Sequence, residues 1–399
     1  MKICDVTQFY SPVSGGVKRY LTEKRDYISQ YTNHEHVLIV PGPHNTIERN
    51  HRLTLHQVAS PRVSFSSHYR VALNIRRVEN IISDEKPDII EAGEPYQLAW
   101  ACLRASQRLS KPAVGFYHSH FPESYLRTLT RFGGRPFVSL VEKIARAYIR
   151  KLYGKFAFTM VASPKLQEIL EGIGVGNIRL VPLGVETDVF TPAGRSMEWR
   201  NQLGIKDRQI LLLFVGRLAR EKKIDWLLEA FSIVRKYAGD RFALLIVGEG
   251  SEQARINEAR KNTPHLYWLP YEGDAQKLAS IYASADLLVH ASLCETFGLV
   301  VLEAQSCGIP AIAFRGSGMD DLIFGGPDFL ADEQTPESLA KAILRSYQND
   351  LHEIGLKTRE AVIQRYPWKI VFRSLFELYE ELNKGSWQPN PQVSYKKLA

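Results

Sequence analysis

Two glutamates, Glu295 and Glu303, bracket a glycine in the run C-E-T-F-G-L-V-V-L-E-A-Q-S-C-G from Cys294 to Gly308. A helix that starts near Gly298 places Glu303 just over one turn inside it. The amides of Phe297, Gly298 and Leu299 then point out of the helix N-terminus, where unsatisfied N–H groups and the helix dipole favour an anion. Carboxylates repel phosphate, but they accept hydrogen bonds from sugar and ribose hydroxyls. The placement predicts a phosphate cradle flanked by two hydroxyl-binding acids. The plainer alternative, one surface acid and one helix-interior acid, leaves the glycine between them unexplained.

A second loop carries the matching positive charge. In V-G-R-L-A-R-E-K, residues 215–222, a buried apolar strand ends at Gly216 and is followed by Arg217 and Lys222. Residues at the carboxyl ends of parallel strands line the ligand crevice of such sheets. Arg offers phosphate a bidentate fork and Lys a compact charge. Two cations at the start of a helix are disfavoured by its dipole unless an anion is present. Together they would neutralise a diphosphate leaving group.

Three marks in the first half are shorter. Gly15 and Gly16 follow the first strand and precede a helical pattern, which allows close backbone approach to a ligand. His118 ends a strand in F-Y-H-S-H-F-P, residues 116–122, with His120 beside it. That pair has the spacing of two metal ligands, but no further ligands are recognisable, so no metal is assigned. The sequence also lacks an Asp-x-Asp triplet. Neutralisation of a diphosphate by Arg and Lys is therefore expected, rather than a metal bridge.

The elements that must position these residues form two series of βα units. Apolar, β-rich runs fall at residues 2–6, 36–40, 88–91, 113–117, 159–162 and 178–182, and again at 210–215, 243–247, 266–269, 287–290 and 311–314. Helical patterns separate most of them, such as Val17, Tyr20, Leu21, Ile28 and Tyr31. Near-continuous apolar strands alternating with helices argue for parallel sheets covered on both faces, an α/β class. Residues 184–194, rich in Pro, Gly and Thr, read as a linker. An amphipathic helix follows Pro367 and ends near Leu382, with Ile370, Val371, Leu375, Phe376 and Tyr379 on its apolar side. The tail from Gly385 reads as loose.

The chain has 399 residues and a net charge of +8. Residues 1–195 hold 26 Lys and Arg against 17 Asp and Glu, so the whole excess lies in the first half. A basic half implies an anionic partner. The charge is densest over residues 127–155, where eight basic side chains face only Glu142, with aromatic and aliphatic residues interleaved. Such a stretch fits either an anionic membrane surface or a core helix with a solvated basic face. No nucleic-acid recognition motif accompanies it. No run approaches the ~20 apolar residues of a spanning helix, and no signal peptide is expected. The four cysteines, Cys4, Cys102, Cys294 and Cys307, have no metal or redox spacing and read as small buried residues. A reducing cytoplasm fits, with peripheral attachment to the inner face of a membrane.

The Glu295–Glu303 block, the V-G-R-L loop with Lys222, and the turn Val247-Gly-Glu-Gly250 resemble glycosyltransferase family four. The likeness spans most of the second half and rests in the first on Gly15-Gly16, His118 and the segment G-V-E-T-D, residues 184–188. It implies the GT-B fold: two Rossmann-like domains, residues 1–190 and 191–365, facing across a cleft. A terminal helix over 366–384 would pack back on the first domain, ahead of the tail over 385–399. It also implies retaining transfer of a hexose from a nucleoside-diphosphate sugar, UDP by family frequency, with no cofactor. Glu303 would bind the donor ribose, Glu295 the transferred sugar, and Arg217 and Lys222 the diphosphate. Gly15 and Gly16 would approach that diphosphate, and His118 would stand near the reaction centre. The sequence departs from the family at Lys223, where glycine or asparagine is usual. Residues 117–122 with the basic stretch resemble the lipid-glycosylating branch. The acceptor is otherwise unread, and soluble or polysaccharide acceptors stay open. So do a GT-B epimerase or hydrolase and a non-catalytic nucleotide- or lipid-binding protein.

Overall fold

The computed structural model describes residues 1–10, 15–63, 66–118 and 135–385. It divides into two compact units: Met1–Pro182 with the chain from Val371 onward, and Leu183–Ile370. The sequence limits, 190 and 366, lie a few residues away from these divisions.

The strands of the first unit are β1 (Lys2–Val6), β2 (Glu35–Gly42), β3 (Thr46–Asn50), β4 (Leu53–Ala59), β5 (Arg62–Val63), β6 (Ser66–Arg70), β7 (Ile89–Ala92), β8 (Ala113–Tyr117), β9 (Thr159–Val161) and β10 (Ile178–Leu180). Eight of them form one sheet in the order β10-β9-β8-β7-β1-β2-β4-β3, parallel except for β3. β5 and β6 form a separate antiparallel pair. The helices are α1 (Gly16–Tyr31), α2 (Ile75–Glu85), α3 (Gln97–Leu109), α4 (Arg135–Tyr153) and α5 (Pro164–Ile173). Buried β1, β7 and β8 form the centre of the sheet, as expected of strands covered on both faces.

β3 to β6 were not expected from the sequence. β3 reads T-I-E-R-N and is exposed throughout, a polar edge strand. The buried face of β4 is Thr54, His56 and Val58, with His56 Nε2 2.9 Å from Glu85 Oε1. Two polar residues in three hide the alternation that marks a half-buried strand.

The second unit begins with α6 (Met197–Gln202) and continues through β11 (Ile210–Val215), α7 (Ile224–Ala238), β12 (Phe242–Val247), α8 (Gln253–Asn262), β13 (Leu266–Leu269), α9 (Ala275–Ser284), β14 (Leu287–Val289), α10 (Leu299–Ser306), β15 (Ala311–Phe314), β16 (Leu330–Ala331), α11 (Pro336–Ser346) and α12 (Leu351–Arg365). Its six strands are all parallel, in the order β13-β12-β11-β14-β15-β16. The two-residue β16 is too short to carry a period. The supposed linker, residues 184–194, is packed within this unit. Phe190 is fully buried, its carbonyl accepts from Ser306 Oγ at 2.6 Å, and Val185 bridges to Pro367.

The last helix, α13 (Trp368–Lys384), returns to the first unit as expected. Phe372 stacks near Tyr20 and Tyr27, and Phe376 near Tyr27 and His34. A buried ionic cluster lies under it. Lys24 Nζ donates to Asp5 Oδ1 at 2.9 Å and Glu91 Oε2 at 2.8 Å, and His36 Nε2 lies 2.7 Å from Asp5 Oδ2. Tyr379 of α13 donates to the same Glu91 oxygen and accepts from Lys24 at 3.2 Å. A buried ammonium is tolerable only with such partners. Of the tail read as loose from Gly385, residues 386–399 lie outside the described residues.

Candidate functional site

The Arg217 loop is held by its neighbour in the second unit. Gly216 N–H donates to the Val247 carbonyl at 3.0 Å, Leu218 N–H to Glu249 at 2.8 Å, and Glu252 N–H to Leu218 at 2.9 Å. Gly248 has φ +141°, and a Cβ there would sit 2.0 Å from the Gly216 carbonyl oxygen. Only glycine lets these loops meet. The Val247–Gly250 turn is thus the support of the Arg217 loop.

Arg217 is 71% exposed and ion-paired with Glu221. A short 3-10 turn, Arg220–Lys222, then delivers Lys222. The turn is fixed from the other side, because Ser292 Oγ donates to the Glu221 carbonyl at 3.0 Å. Lys223 follows at φ 53° and ψ 47° and precedes α7. That left-handed conformation explains why glycine or asparagine suits the position. In this chain the lysine ammonium lies 4.1 Å over the Trp226 ring, a cation–π contact.

β14 hands the chain to His290 and the loop that carries Glu295. Lys222 Nζ and Glu295 Oε1 form an ion pair, so the loops after β11 and β14 converge. Burial raises the Glu295 carboxyl, but Lys222, His290 and Arg217 outweigh it and hold the group below the ordinary carboxylate range. Gly298, at φ +102°, then starts α10 with no side-chain cap. No side chain therefore competes for the first-turn amides of α10, although Val301 N–H donates to the Gly298 carbonyl at 2.9 Å. Phe297 is buried, so it can offer a ligand only its backbone. Glu303 lies inside α10, 6% exposed, and accepts from the Tyr282 hydroxyl of α9 at 2.9 Å. The sequence singles out Arg217, Lys222, Glu295 and Glu303 but not their neighbours Glu221, Tyr282 and His290.

In the first unit, Gly15 precedes α1 at φ −79°, and a Cβ there would meet no atom within 4 Å. Packing alone does not demand glycine at this position. Gly16 is the first residue of α1. His118 follows β8, its ring stacked on Phe116 at 3.8 Å and edge-on to Tyr20 at 5.6 Å. Burial lowers its imidazole to about 3, so it is neutral at physiological pH. Glu94, which the sequence did not single out, sits beyond β7 and accepts from Gln8 N–H at 2.8 Å. Burial pushes its carboxyl up to about 8.

His120 and residues 127–134 of the basic stretch lie outside the described residues. The rest of the stretch as far as Tyr153 is α4. Its second half packs inward through Ile149, Leu152 and Tyr153. Its first half exposes Phe137, Leu140 and Ile144, at 50%, 56% and 61%, beside Lys143 and Arg146. Cys4, Cys102 and Cys307 are buried, whereas Cys294, next to Glu295, is partly exposed. Among the described residues no group of three or more His, Cys, Asp or Glu is placed to hold a metal. None of the described helices is long and apolar enough to cross a membrane.

Residues 14–189 match the family model described as Glycosyltransferase Family 4, and residues 196–366 the model described as Glycosyl transferases group 1. The chain is 30% identical over 312 residues to the sulfoquinovosyl transferase SQD2 of Arabidopsis thaliana. That match takes in 75% of this chain and 58% of that protein's length. It is 28% identical over 346 residues to a GDP-mannose-dependent alpha-(1-6)-phosphatidylinositol dimannoside mannosyltransferase of Mycobacterium tuberculosis, across 86% of this chain and 87% of that one. In fold it is similar to a sucrose-phosphate synthase from Thermosynechococcus elongatus, with a TM-score of 0.77 at 19% identity over 96% of this chain and 99% of the other.

Proposed function

Because the chain belongs to the glycosyltransferases of the GT-B fold, enzymes that move a sugar from a nucleotide-sugar donor to an acceptor, we propose that it transfers a hexose with retention to a hydroxyl presented at an anionic membrane surface. The convergence of Lys222 and Glu295 beside the uncapped start of α10 carries the donor half of this reading. Arg217, Lys222 and the amides from Phe297 to Leu299 stabilise charge on the leaving diphosphate. Glu295 orients the sugar and Glu303 takes the ribose hydroxyls. The leaving phosphate receives the acceptor proton, so no side chain serves as a covalent nucleophile.

The acceptor half rests on α4, where apolar Phe137, Leu140 and Ile144 stand exposed among basic residues. One relative is named for a phosphatidylinositol dimannoside, which supports a lipid acceptor. The same relative is named for GDP-mannose, which favours guanine over the uracil expected from family frequency. Nucleotide release from UDP-glucose, UDP-galactose and GDP-mannose, with and without anionic lipid extract, tests both halves. Turnover of none of these donors would defeat the donor reading. Turnover indifferent to lipid would favour a soluble or polysaccharide acceptor.

A further inference from the structure

We propose that His290 is a positioning residue for Glu295: an uncharged Nε2–H donor that keeps the carboxylate in place when Lys222 turns to the donor diphosphate. The inference rests on the donor-site reading given above. Ser292 N–H donates to His290 Nδ1 at 3.3 Å. A ring nitrogen that accepts carries no proton, so on a neutral imidazole the proton sits on Nε2. Nε2 lies 3.7 Å from Glu295 Oε1, the oxygen that Lys222 also engages. The ring is 1% exposed and seated against Phe214, centroids 5.3 Å apart. Burial, with Lys222 nearby, lowers the imidazole to about 4, so at physiological pH it is a neutral donor rather than a second cation.

The chemistry of the donor makes this arrangement useful. A diphosphate carries more charge than one carboxylate and draws the ammonium toward itself. Glu295 then gives up its cation while still largely enclosed, which is costly unless another donor replaces it. A shift of about 1 Å brings Oε1 into hydrogen-bond range of Nε2–H. Oε2 is left to accept from sugar hydroxyls. His290 thus acts through Glu295 on the sugar and not on the nucleotide.

The test compares His290→Phe, which keeps a ring and removes the donor, with His290→Gln, which keeps an N–H. Glu295→Ala serves as the reference. The probes are UDP and GDP alone, then UDP-glucose or GDP-mannose, whichever the unmodified protein turns over. His290→Phe should bind the free nucleoside diphosphate as the unmodified protein does in calorimetry. It should lose roughly tenfold to a hundredfold in kcat, the range for a hydrogen bond to a charged group. His290→Gln should recover most of that loss, and thermal melts of both variants establish folding. Phe and Gln equally impaired, or Phe unimpaired while Glu295→Ala is slow, would overturn the role of His290 alone. Full turnover by Glu295→Ala would overturn the donor-site reading and the inference with it.

Discussion

The Tyr282 hydroxyl donates to Glu303 Oε2 at 2.9 Å, so a carboxylate on one helix is oriented by a fully buried ring on another. Glu303→Ala should weaken donor binding by roughly 10-fold or more, since hydrogen bonds to charged groups contribute about 1.5–3 kcal/mol each. Tyr282→Phe keeps the packing and should cost less, roughly fivefold. Calorimetry with the preferred nucleotide sugar measures both. Unchanged affinity in Glu303→Ala would remove that residue from the site.

Arg217→Ala and Lys222→Ala should each lower turnover, Arg217→Ala far more than stability. Lys222→Ala should bring some loss of stability as well, because it leaves Glu295 enclosed without its cation. Arg217 is largely solvent-exposed, and its ion pair with Glu221 contributes little to folding. Either variant at full speed with saturating donor would contradict the role given. A chelator should leave activity largely intact. Total loss that magnesium or manganese restores would overturn the reading of a diphosphate neutralised by Arg and Lys.

Gly248→Ala should push the Val247–Gly250 turn off the Arg217 loop. The added Cβ meets a backbone oxygen at 2.0 Å, which no rotamer change relieves. A loss of about 1–3 kcal/mol in denaturant titration is expected, with weaker nucleotide binding. Wild-type melting and binding together would show that the two loops do not depend on each other.

The donor loops were legible because their chemistry is local. Arg217 follows Gly216 at the end of β11, with Lys222 in the same loop. Glu295 and Glu303 bracket Gly298 at the start of α10, and the apolar strands before them are unmistakable. What holds these residues was not legible. Tyr282 and His290 read as ordinary members of a helix and a strand end until the fold brings them to Glu303 and Glu295. The cluster of Asp5, Lys24, His36, Glu91 and Tyr379 draws on five distant segments, and no spacing connects them. β4 was hidden for a different reason, since its buried face carries Thr54 and His56 where a pattern search wants aliphatics.

His290 also makes stability depend on pH. Its imidazole falls from its ordinary 6.5 to about 4 in the folded chain. Between these values the unfolded chain takes up a proton that the folded chain refuses. Stability linked to this group is therefore whole above pH 6.5, declines as pH falls, and levels off below about 4. The loss should be about 3 kcal/mol. His290→Gln should show a shallower fall in melting temperature across that range. An identical pH profile for the variant would show that the histidine is not kept neutral by the fold.

Helix α4 leaves Phe137, Leu140 and Ile144 exposed along its first half, with Lys143, Arg146, Arg150 and Lys151 also at the surface. Apolar side chains of this kind enter the headgroup boundary, and each basic residue near an anionic surface adds ~1 kcal/mol. The protein should sediment with vesicles containing phosphatidylglycerol and ignore vesicles of phosphatidylcholine alone. Binding should weaken with salt, because the Debye length shrinks from ~8 Å at physiological ionic strength to ~3 Å at 1 M. Reversing Arg146, Arg150 and Lys151 to Glu should release it through charge, and Leu140→Asp with Ile144→Asp should release it through lost insertion. Both variants should bind free nucleotide as before, since the substituted residues belong to the first unit and the Arg217 and Glu295 loops to the second. Unmodified protein that ignores phosphatidylglycerol vesicles at low salt would remove the physical basis for a lipid acceptor and leave the donor chemistry standing.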